Sequence, residues 1–216
     1  MFYPTIKVFY FNPFRECTYV VSDEEGNAFL IDAGCSTLSE QHRLMQYIEE
    51  KNLCVKAHLL THAHLDHLFG AKFVFEKYGV LPYLHPDDTF LFSRQDMQSV
   101  AFGCPLIDEP LADFTPVHNG DVLYWCNLSI QVIHTPGHSA GSVCYYIQNT
   151  PTPILFSGDT LFAGSVGRTD LPTGNMESLR NSLHSRLFSL PEDTIVYPGH
   201  GADTTIAVEK RNGLLS

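Results

Sequence analysis

Hydrophobic and polar positions alternate along the first thirty residues of the chain, as they do in strands that bury one face. The apolar runs cover Thr5–Phe11, Cys17–Ser22 and Ala28–Asp32, and they are separated by Asn12-Pro13 and Glu24-Glu25-Gly26-Asn27. Asn, Pro and Gly favour turns between strands. The pattern therefore predicts a meander of three strands.

A helical period replaces this alternation between Ser36 and Lys51. The apolar positions close to helical spacing are Leu38, Leu44, Met45 and Ile48, and Ser36 is the expected N-cap. The run Val55–Thr61 then predicts a buried strand. The pattern after it predicts a helix over Leu68–Tyr78 that is ended by Gly79, and a short strand over Pro82–His85.

The second half of the chain repeats the succession of strands and helices. Between Pro86 and Pro116, Pro105 and Pro110 indicate an irregular connection with one or two short helices. Strands are predicted at Val122–Cys126, Ser129–His134, Val143–Gln148, Ile154–Ser157 and Thr194–Tyr197, and helices near Met176–Phe188 and Thr204–Arg211. Two strand-rich halves, each followed by helices, predict an α/β fold in which two sheets pack face to face with helices outside. A doubly wound sheet remains an alternative on the pattern itself.

Composition narrows the possible functions. With 216 residues and 44% hydrophobic side chains, the chain can bury one sizeable core, so residues 1–216 are expected to form a single domain. The net charge of −11 argues against a nucleic-acid partner, since phosphate binding needs clustered basic residues. No apolar stretch is long enough for a bilayer, and the start has no basic segment followed by an apolar one. We therefore expect a cytoplasmic protein with no membrane partner.

Six cysteines occur without any C-x-x-C pair. They are Cys17, Cys35, Cys54, Cys104, Cys126 and Cys144. Several stand inside apolar runs, where a thiol behaves as a small hydrophobic group. We expect them to be reduced, buried and chemically inert.

Four side chains that can bind metal ions follow the predicted strand Val55–Thr61. They are His62, His64, Asp66 and His67 in the segment THAHLDH at 61–67. In an extended chain His62 and His64 point to the same side, so both imidazoles can reach one ion. Asp66 and His67 are adjacent and diverge, which suits a second ion beside the first.

Three more potential ligands stand at the ends of later predicted strands, beside glycine or proline. They are His138 in HTPGH at 134–138, Asp159 in SGDT at 157–160 and His200 in YPGH at 197–200. Strand ends with tight turns can present side chains to a common point. The seven residues are enough for two nearly complete coordination spheres.

Imidazole and carboxylate ligands predict two divalent metal ions, with zinc first and iron or manganese as alternatives. Two metals roughly 3.5–4 Å apart can share a hydroxide and polarise a carbonyl group, which is the chemistry of hydrolysis. A single histidine is more often a core or surface residue, and that interpretation is retained for His42, His58, His85, His118 and His184. His134 is expected to donate a hydrogen bond that orients a ligand.

These motifs resemble the metallo-β-lactamase superfamily in order and spacing over most of the chain. The resemblance implies a four-layer αββα sandwich with the site at the edge of the two sheets. It further implies roles for three sets of residues: His62, His64 and His138 on the first metal, Asp66, His67 and His200 on the second, and Asp159 bridging both. Asp66 and Asp159 are thus the expected catalytic residues. Asp32, in IDAG at 31–34, matches a supporting aspartate near the site.

Two longer segments are similar to the glyoxalase II-like, or hydroxyacylglutathione hydrolase-like, branch of that superfamily. They are SGDTLFAGSVGRTD at 157–170 and PGHGADTTI at 198–206. The similarity implies hydrolysis of a small acyl thioester such as S-lactoylglutathione by a metal-bridging hydroxide. The chain ends sixteen residues after His200, as in short members without an added helical domain. Arg168 is expected either to face a substrate carboxylate or to pair with Asp170.

Other functions are weighed on the same residues. Iron-dependent persulfide dioxygenases of this superfamily keep the histidine cluster and a Gly-Arg-Thr-Asp segment, so a mononuclear iron oxidoreductase is the main alternative. A non-enzymatic metal-binding protein predicts missing ligands, and none of the seven is missing. β-Lactamase activity is not expected, because the resemblance is to another branch and the start shows no export signal.

Overall fold

The computed structural model describes residues 3–104 and 110–215, and their architecture is the predicted αββα sandwich. The first sheet has six strands in the order β1 to β6: Thr5–Phe11, Glu16–Ser22, Asn27–Ile31, Cys54–Leu59, Pro82–Leu84 and Thr115–Pro116. Strands β1 to β3 pair antiparallel as the predicted meander, and β3 to β6 pair parallel.

The second sheet also has six strands, in the order β14-β13-β10-β9-β8-β7. In chain order these are β7 to β10 and then β13 and β14: Val122–Trp125, Leu128–His134, Val143–Ile147, Ile154–Gly158, Ile195–Pro198 and Thr204–Thr205. A separate two-stranded ribbon is formed by β11 and β12, Leu161–Phe162 and Ser165–Val166. Only β10 and β13 pair parallel in the second sheet.

Seven α-helices are present in the described residues. In chain order, α1 to α7 are Leu38–Glu50, Leu65–Leu68, Ala71–Tyr78, Thr89–Ser93, Gln95–Phe102, Met176–Ser182 and Ile206–Asn212. A 3₁₀ turn at Pro86–Asp88 precedes α4, and a π-helical turn at Leu183–Leu187 extends α6. None of the described helices is both long and apolar enough to cross a membrane.

The alternation seen in the sequence explains the layers, because successive side chains of a strand point to opposite faces. Phe29 and Ile31 of β3 pack in the central layer between the sheets, together with Tyr145 of β9. Leu30, between them, packs outward with Leu44 of α1. On the other side, the outer face of the second sheet is covered by apolar residues of α6, the π-helical turn and α7.

The first helix differs from the prediction at its beginning. Its N-cap is Thr37, whose side chain accepts from the backbone of Glu40, while the Glu40 carboxylate accepts from the Thr37 backbone N–H. This reciprocal capping box explains why Thr37 takes the place expected of Ser36, whose backbone also bonds Glu40. Leu38, the first residue of the helix, is exposed rather than buried.

The helix predicted over Leu68–Tyr78 begins only at Ala71, as α3. The short helix α2 ends at Leu68, and Phe69 and Gly70 separate the two. The Gly70 N–H donates to the Ala33 carbonyl at 2.7 Å. A Cβ at Gly70 would overlap Cys35 Sγ and lie 2.9 Å from the Ala33 oxygen. The close approach of this loop interrupts the helix and holds α2 against the end of β3, while α3 ends at Gly79 as predicted.

Two other predictions concern the burial of the cysteines and the connection between Pro86 and Pro116. Cys54 is exposed and Cys104 is half-buried, whereas the other four cysteines are buried, and all six are free thiols. Cys54 is the first residue of β4. The predicted irregular connection between Pro86 and Pro116 contains α4 and α5, and its Pro105 lies outside the described residues.

Candidate metal centre

Strand register brings the ends of several strands of the two sheets to one edge of the sandwich. In the first sheet Ile31 pairs with Leu59, so the chain leaves both strands side by side toward Asp32 and Thr61. In the second sheet Gly158 pairs with Pro198, which places Asp159 near His200. Hydrogen bonds join the two edges, since the Val143 N–H donates to the Thr61 carbonyl and the Cys17 N–H to the Gly199 carbonyl. All seven predicted ligands lie at this edge.

The first group of three histidines is buried. His62 Nε2 lies 3.2 Å from His138 Nε2. His64 presents its other nitrogen, Nδ1, at 2.7 Å from the same His138 atom. All three nitrogens therefore converge within the 4.8 Å that one ion can connect.

The second group combines one carboxylate with two histidines. Asp66 Oδ2 lies 3.2 Å from His200 Nε2 and 3.7 Å from His67 Nε2. Asp66 and His67 come from α2 directly after His64, and His200 comes from the end of β13. Their ligand atoms also lie within 4.8 Å of one another, so they could hold a second ion.

Asp159 lies between the two groups. Its Oδ1 is 3.5 Å from His67 Nε2, and its Oδ2 is 3.5 Å from His138 Nε2 and 3.6 Å from His200 Nε2. One carboxylate thus reaches ligands of both groups, which is the geometry expected of a bridging ligand.

The ring nitrogens that face away from the centre have partners of their own. His67 Nδ1 is 2.9 Å from Asp32 Oδ2, His138 Nδ1 is 2.7 Å from the Arg168 carbonyl, and His200 Nδ1 is 3.1 Å from the Phe14 carbonyl. An imidazole that donates from one nitrogen exposes the lone pair of the other. These contacts therefore aim Nε2 of each of the three rings into the centre.

The donor set fits divalent cations. His67 Nε2 and Asp159 Oδ1 are buried without a hydrogen-bond partner in the described part of the chain. Buried polar atoms normally have partners, and coordination of a cation would satisfy both of these. Imidazole nitrogens and carboxylate oxygens together suit zinc, iron or manganese, with no thiolate to restrict the choice.

Burial and neighbouring charges shift the pKa values of the buried histidines and aspartates in the centre. Burial lowers the pKa of His62 well below its usual value and that of His64 to about 3. Burial also opposes ionisation of His67 and Asp159, but it is outweighed by their mutual attraction and their charged neighbours. The pKa of His67 is raised well above its usual value, and that of Asp159 is lowered well below. The carboxylates accordingly favour positive charge at this point, whether it comes from a proton or a metal ion.

Asp32 occupies the supporting position that the sequence predicts. Its Oδ1 accepts from the Thr61 N–H at 2.8 Å, and its Oδ2 accepts from the Thr61 hydroxyl at 2.8 Å and contacts His67 Nδ1. Asp32 is buried and has a φ of 55°, in the left-handed region that costs energy for a residue with a Cβ. In this conformation its carboxylate contacts both Thr61 and His67.

The structure does not join His134 to any of the seven predicted ligands. His134 Nε2 donates to the Ala140 carbonyl at 2.8 Å, and its ring stacks on His85 at 4.0 Å. The expected hydrogen bond to a ligand is therefore wrong, because the ring turns away from the centre at the end of β8. His85, for which the sequence predicted no role in a site, forms a small group with Asp87 and His134.

Of the two roles weighed for Arg168, the structure has the pair with Asp170. The guanidinium donates two hydrogen bonds of 2.7 Å to the two oxygens of Asp170, and both side chains are exposed. Arg168 nevertheless lines the cleft beside the centre, and its carbonyl accepts from His138. Its contribution to the centre comes through the backbone.

Asp88 is a supporting residue that the sequence analysis missed. The buried carboxylate accepts from the Ala63 N–H at 2.9 Å, from the Ser139 hydroxyl at 2.8 Å and from the Gly141 N–H at 2.6 Å. It thereby ties the loop of His62 and His64 to the loop of His138. In the sequence Asp88 stands close after a proline that follows a short strand. This pattern indicates a turn and does not predict contacts with residues far away in the chain.

Replacing Asp88 with Ala should weaken metal binding without touching a ligand. Both loops would lose their shared acceptor, and outer partners of this kind typically contribute about 10- to 100-fold to metal affinity or activity. Metal competition with a chromophoric chelator measures the change. Asp87→Ala is the matched control, because the adjacent Asp87 side chain is exposed. This substitution should leave the metal affinity unchanged. Equal affinities for the two variants would contradict the role of Asp88.

Glu16 was also missed. It is fully buried at the start of β2, its Oε2 accepts from the Thr18 hydroxyl at 2.8 Å, and the Thr18 hydroxyl accepts from the Gly34 N–H. Burial raises the pKa of Glu16 well above its usual range. A glutamate at the start of a mostly apolar strand was the available signal. Its position beside Asp32 and His67 was not deducible, because it depends on the pairing of β2 with β3.

A cleft of about 430 Å³ opens onto the centre. It exposes the metal-ligand candidates His64, Asp66, His138, Asp159 and His200. Its other walls carry apolar side chains together with Arg168: Phe14, Phe102, Phe162, Val166 and Leu171. A small organic molecule could therefore reach the ligands from solvent.

Comparison with known proteins agrees with this geometry. A family model described as the Metallo-beta-lactamase superfamily matches residues 13–200. The protein named hydroxyacylglutathione hydrolase GloC, from Haemophilus influenzae, is 38% identical over 200 residues, which are 92% of each chain.

Several solved structures are similar to this chain over most of its length. BLEG-1, described as a B3 metallo-beta-lactamase, superposes with a TM-score of 0.86 at 34% identity over 96% of this chain and 97% of its own. TTHA1623 in a di-iron-bound form gives 0.81 at 38% identity, over 97% and 98%. ETHE1 from Myxococcus xanthus gives 0.76 at 28% identity, over 96% and 82%.

Proposed function

Because the chain belongs to the metallo-β-lactamase superfamily, we propose that it is a hydrolase that uses two divalent metal ions to cleave small acyl thioesters such as S-lactoylglutathione. The seven ligand candidates are His62, His64, Asp66, His67, His138, Asp159 and His200. His62, His64 and His138 would hold one ion, and Asp66, His67 and His200 the other.

The position of Asp159 carries the proposal for two ions. Its two oxygens lie about equally far from nitrogens of both ligand groups, at 3.5 to 3.6 Å. A carboxylate between two dications reduces their repulsion and fixes their separation. TTHA1623, which is similar over nearly its whole length, is described in a di-iron form, and this supports two sites in the present chain.

Two such ions, when bound, lower the pKa of water and polarise a carbonyl oxygen. The chain's own residues position the reactants. Asp66 and Asp159 both line the cleft, where their carboxylates can accept hydrogen bonds from the attacking water and orient it. Phe102, Phe162 and Leu171 form apolar walls that limit access of other water to the reacting group.

Attack by a protein side chain is not favoured by this geometry. The residues that line the described part of the cleft include no Ser, Thr or Cys. Cys17, at the edge nearest His200, is fully buried and its thiol faces the Gly201 carbonyl at 3.7 Å. Water is therefore the nucleophile that we propose.

The thioester is supported by the similarity to GloC, which is named a hydroxyacylglutathione hydrolase. A β-lactam is the second candidate substrate, since BLEG-1 is described as a metallo-beta-lactamase and superposes well. Both reactions are attack of water on a carbonyl carbon and differ in the leaving group. The two candidates must therefore be separated by substrate.

The test combines elemental analysis with a substrate panel. Protein loaded with zinc, iron or manganese should contain two ions per chain and hydrolyse S-lactoylglutathione with a kcat/KM of at least about 10⁴ M⁻¹s⁻¹, the lower end for enzymes. Removal of the metals by a chelator should abolish turnover, and their return should restore it. A cephalosporin and glutathione persulfide complete the panel. One iron per chain with oxygen consumption on the persulfide would replace the proposal by a dioxygenase.

A further inference from the structure

A second, smaller cleft branches from the one that opens onto the metal centre. Its volume is about 60 Å³, and it shares His64, Phe102 and Leu171 with the larger cleft. We call it the side cleft and define it by Phe90, Met97, Ala101, Phe102, Leu171 and Pro172. These residues come from α4, α5 and the loop that follows β12.

The side cleft is apolar although it opens at the surface. Phe90 is 46% exposed and Met97 is 39% exposed, which is unusual for large apolar side chains that lie close together. Exposed apolar patches commonly mark sites for a ligand or partner. The position of this patch beside His64, a ligand candidate, connects it to the reacting group.

Two polar side chains at the side cleft, Gln98 and Arg94, have hydrogen-bond partners outside it. The Gln98 amide donates to the carbonyls of Ala63 and Leu91, and its oxygen accepts from the Leu65 N–H. The Arg94 guanidinium is paired with Asp96 at the exposed rim. An occupant is therefore held by apolar contact with the six defining side chains. His64, whose Nε2 has no hydrogen-bond partner in the described part of the chain, lines both clefts. Gln98 also fixes α5 to the loop of His62 and His64, so the cleft keeps its place relative to the ligands.

We propose that the side cleft binds the hydrocarbon part of a short-chain acyl group, so that the preferred substrates are thioesters of acids such as butyrate. This inference rests on the proposed thioesterase function and names its acyl specificity. A volume of about 60 Å³ accommodates about two groups of the size of a water molecule or methylene, each of roughly 30 Å³. With the carbonyl and its α carbon beside His64, the two terminal carbons of a butyryl group would fill the side cleft.

The length of the acyl chain should therefore determine kcat/KM up to four carbons. Each methylene that enters the side cleft should raise kcat/KM by roughly fourfold, so the butyryl thioester, with two more methylenes, should exceed the acetyl thioester of the same thiol by about fifteenfold. Further carbons would extend into solvent, and the gain should stop. The lactoyl hydroxyl would find no hydrogen-bond partner among the six defining side chains, so the lactoyl thioester should fall below the butyryl one.

Filling the cleft tests the assignment. Ala101 is exposed on α5 and is not a ligand candidate, so Ala101→Phe should occupy the space and leave the centre intact. We expect the ratio of kcat/KM for butyryl to that for acetyl to fall to about one, because the added ring takes the space of the two terminal carbons. Ala101→Ser is the matched control and should keep the preference. Met97→Ala, which enlarges the cleft, should move the optimum toward hexanoyl.

Calorimetry on the metal-loaded protein gives a second measure without turnover. Ketone analogues with a methylene between sulfur and carbonyl should bind in the same order of chain length. Equal kcat/KM for acetyl and butyryl thioesters in the unaltered protein, or an equal loss for both in Ala101→Phe, would overturn the assignment and leave the thioesterase proposal standing. Absence of hydrolysis with every thioester would overturn the thioesterase proposal as well.

Discussion

Asp159→Asn should reduce kcat/KM by more than about 100-fold and lower the metal content below two ions per chain. The expected loss exceeds the upper end of what outer partners of a metal site contribute, because Asp159 lies against both ligand groups. An amide has the same shape but no charge, and one of its two positions is a donor. It can neither neutralise two dications nor bind both of them.

Circular dichroism and elemental analysis should accompany the kinetics, so that loss of metal is distinguished from loss of fold. Asp193→Asn is the matched control, since it makes the same change at an exposed position. We expect the control to keep both ions and full turnover. An Asp159→Asn protein with two ions and near-normal turnover would show that Asp159 does not bridge the centre.

The layers of the fold were predictable because the side chains obey simple periodicities. In β3, buried residues belong alternately to the central layer and the outer layer, as Phe29, Leu30 and Ile31 illustrate. The break between α2 and α3 was not predictable, because it depends on the contact of Gly70 with the distant loop at Ala33. Local sequence carries no information about that contact.

The seven ligand candidates were found from the sequence because each has a characteristic chemistry and stands beside a turn. The structure adds which atoms converge, such as His64 Nδ1 in place of Nε2. Supporting residues were harder to identify. Asp88 and Glu16 belong to no sequence motif that indicates a site. Asp88 accepts from the distant Gly141, and Glu16 is linked to Gly34 through the Thr18 hydroxyl, so both depend on tertiary contacts. His134 shows the opposite error, in which proximity in sequence suggested a contact that the fold does not make.

Gly199→Ala should nearly abolish activity although it removes no ligand. A Cβ at this position would overlap Asp159 Oδ1 and lie 2.8 Å from His67 Cε1 and 3.1 Å from the Gly158 carbonyl carbon. The methyl group can fit only if Asp159 moves or if the paired ends of β10 and β13 move apart. Misplacement by about 1 Å can cost roughly 100-fold in rate, so we expect a loss of at least that size in kcat/KM. Metal content should fall as well, because Asp159 and His67 are both ligand candidates.

Gly201→Ala, two residues further along, is the matched control for this substitution. Gly201 has a φ of 87°, and no atom lies within 4 Å of the place where its Cβ would be. The added methyl group should therefore strain the backbone by about 1–2 kcal/mol without entering the centre. Thermal unfolding should show a lower midpoint for Gly201→Ala, with two ions and near-normal turnover at 25 °C. Gly199→Ala should show the reverse division, with the larger loss in activity and metal content. If the two variants lost activity equally, the effect at Gly199 would reflect general strain of the loop, and the close contact with Asp159 would not be its cause.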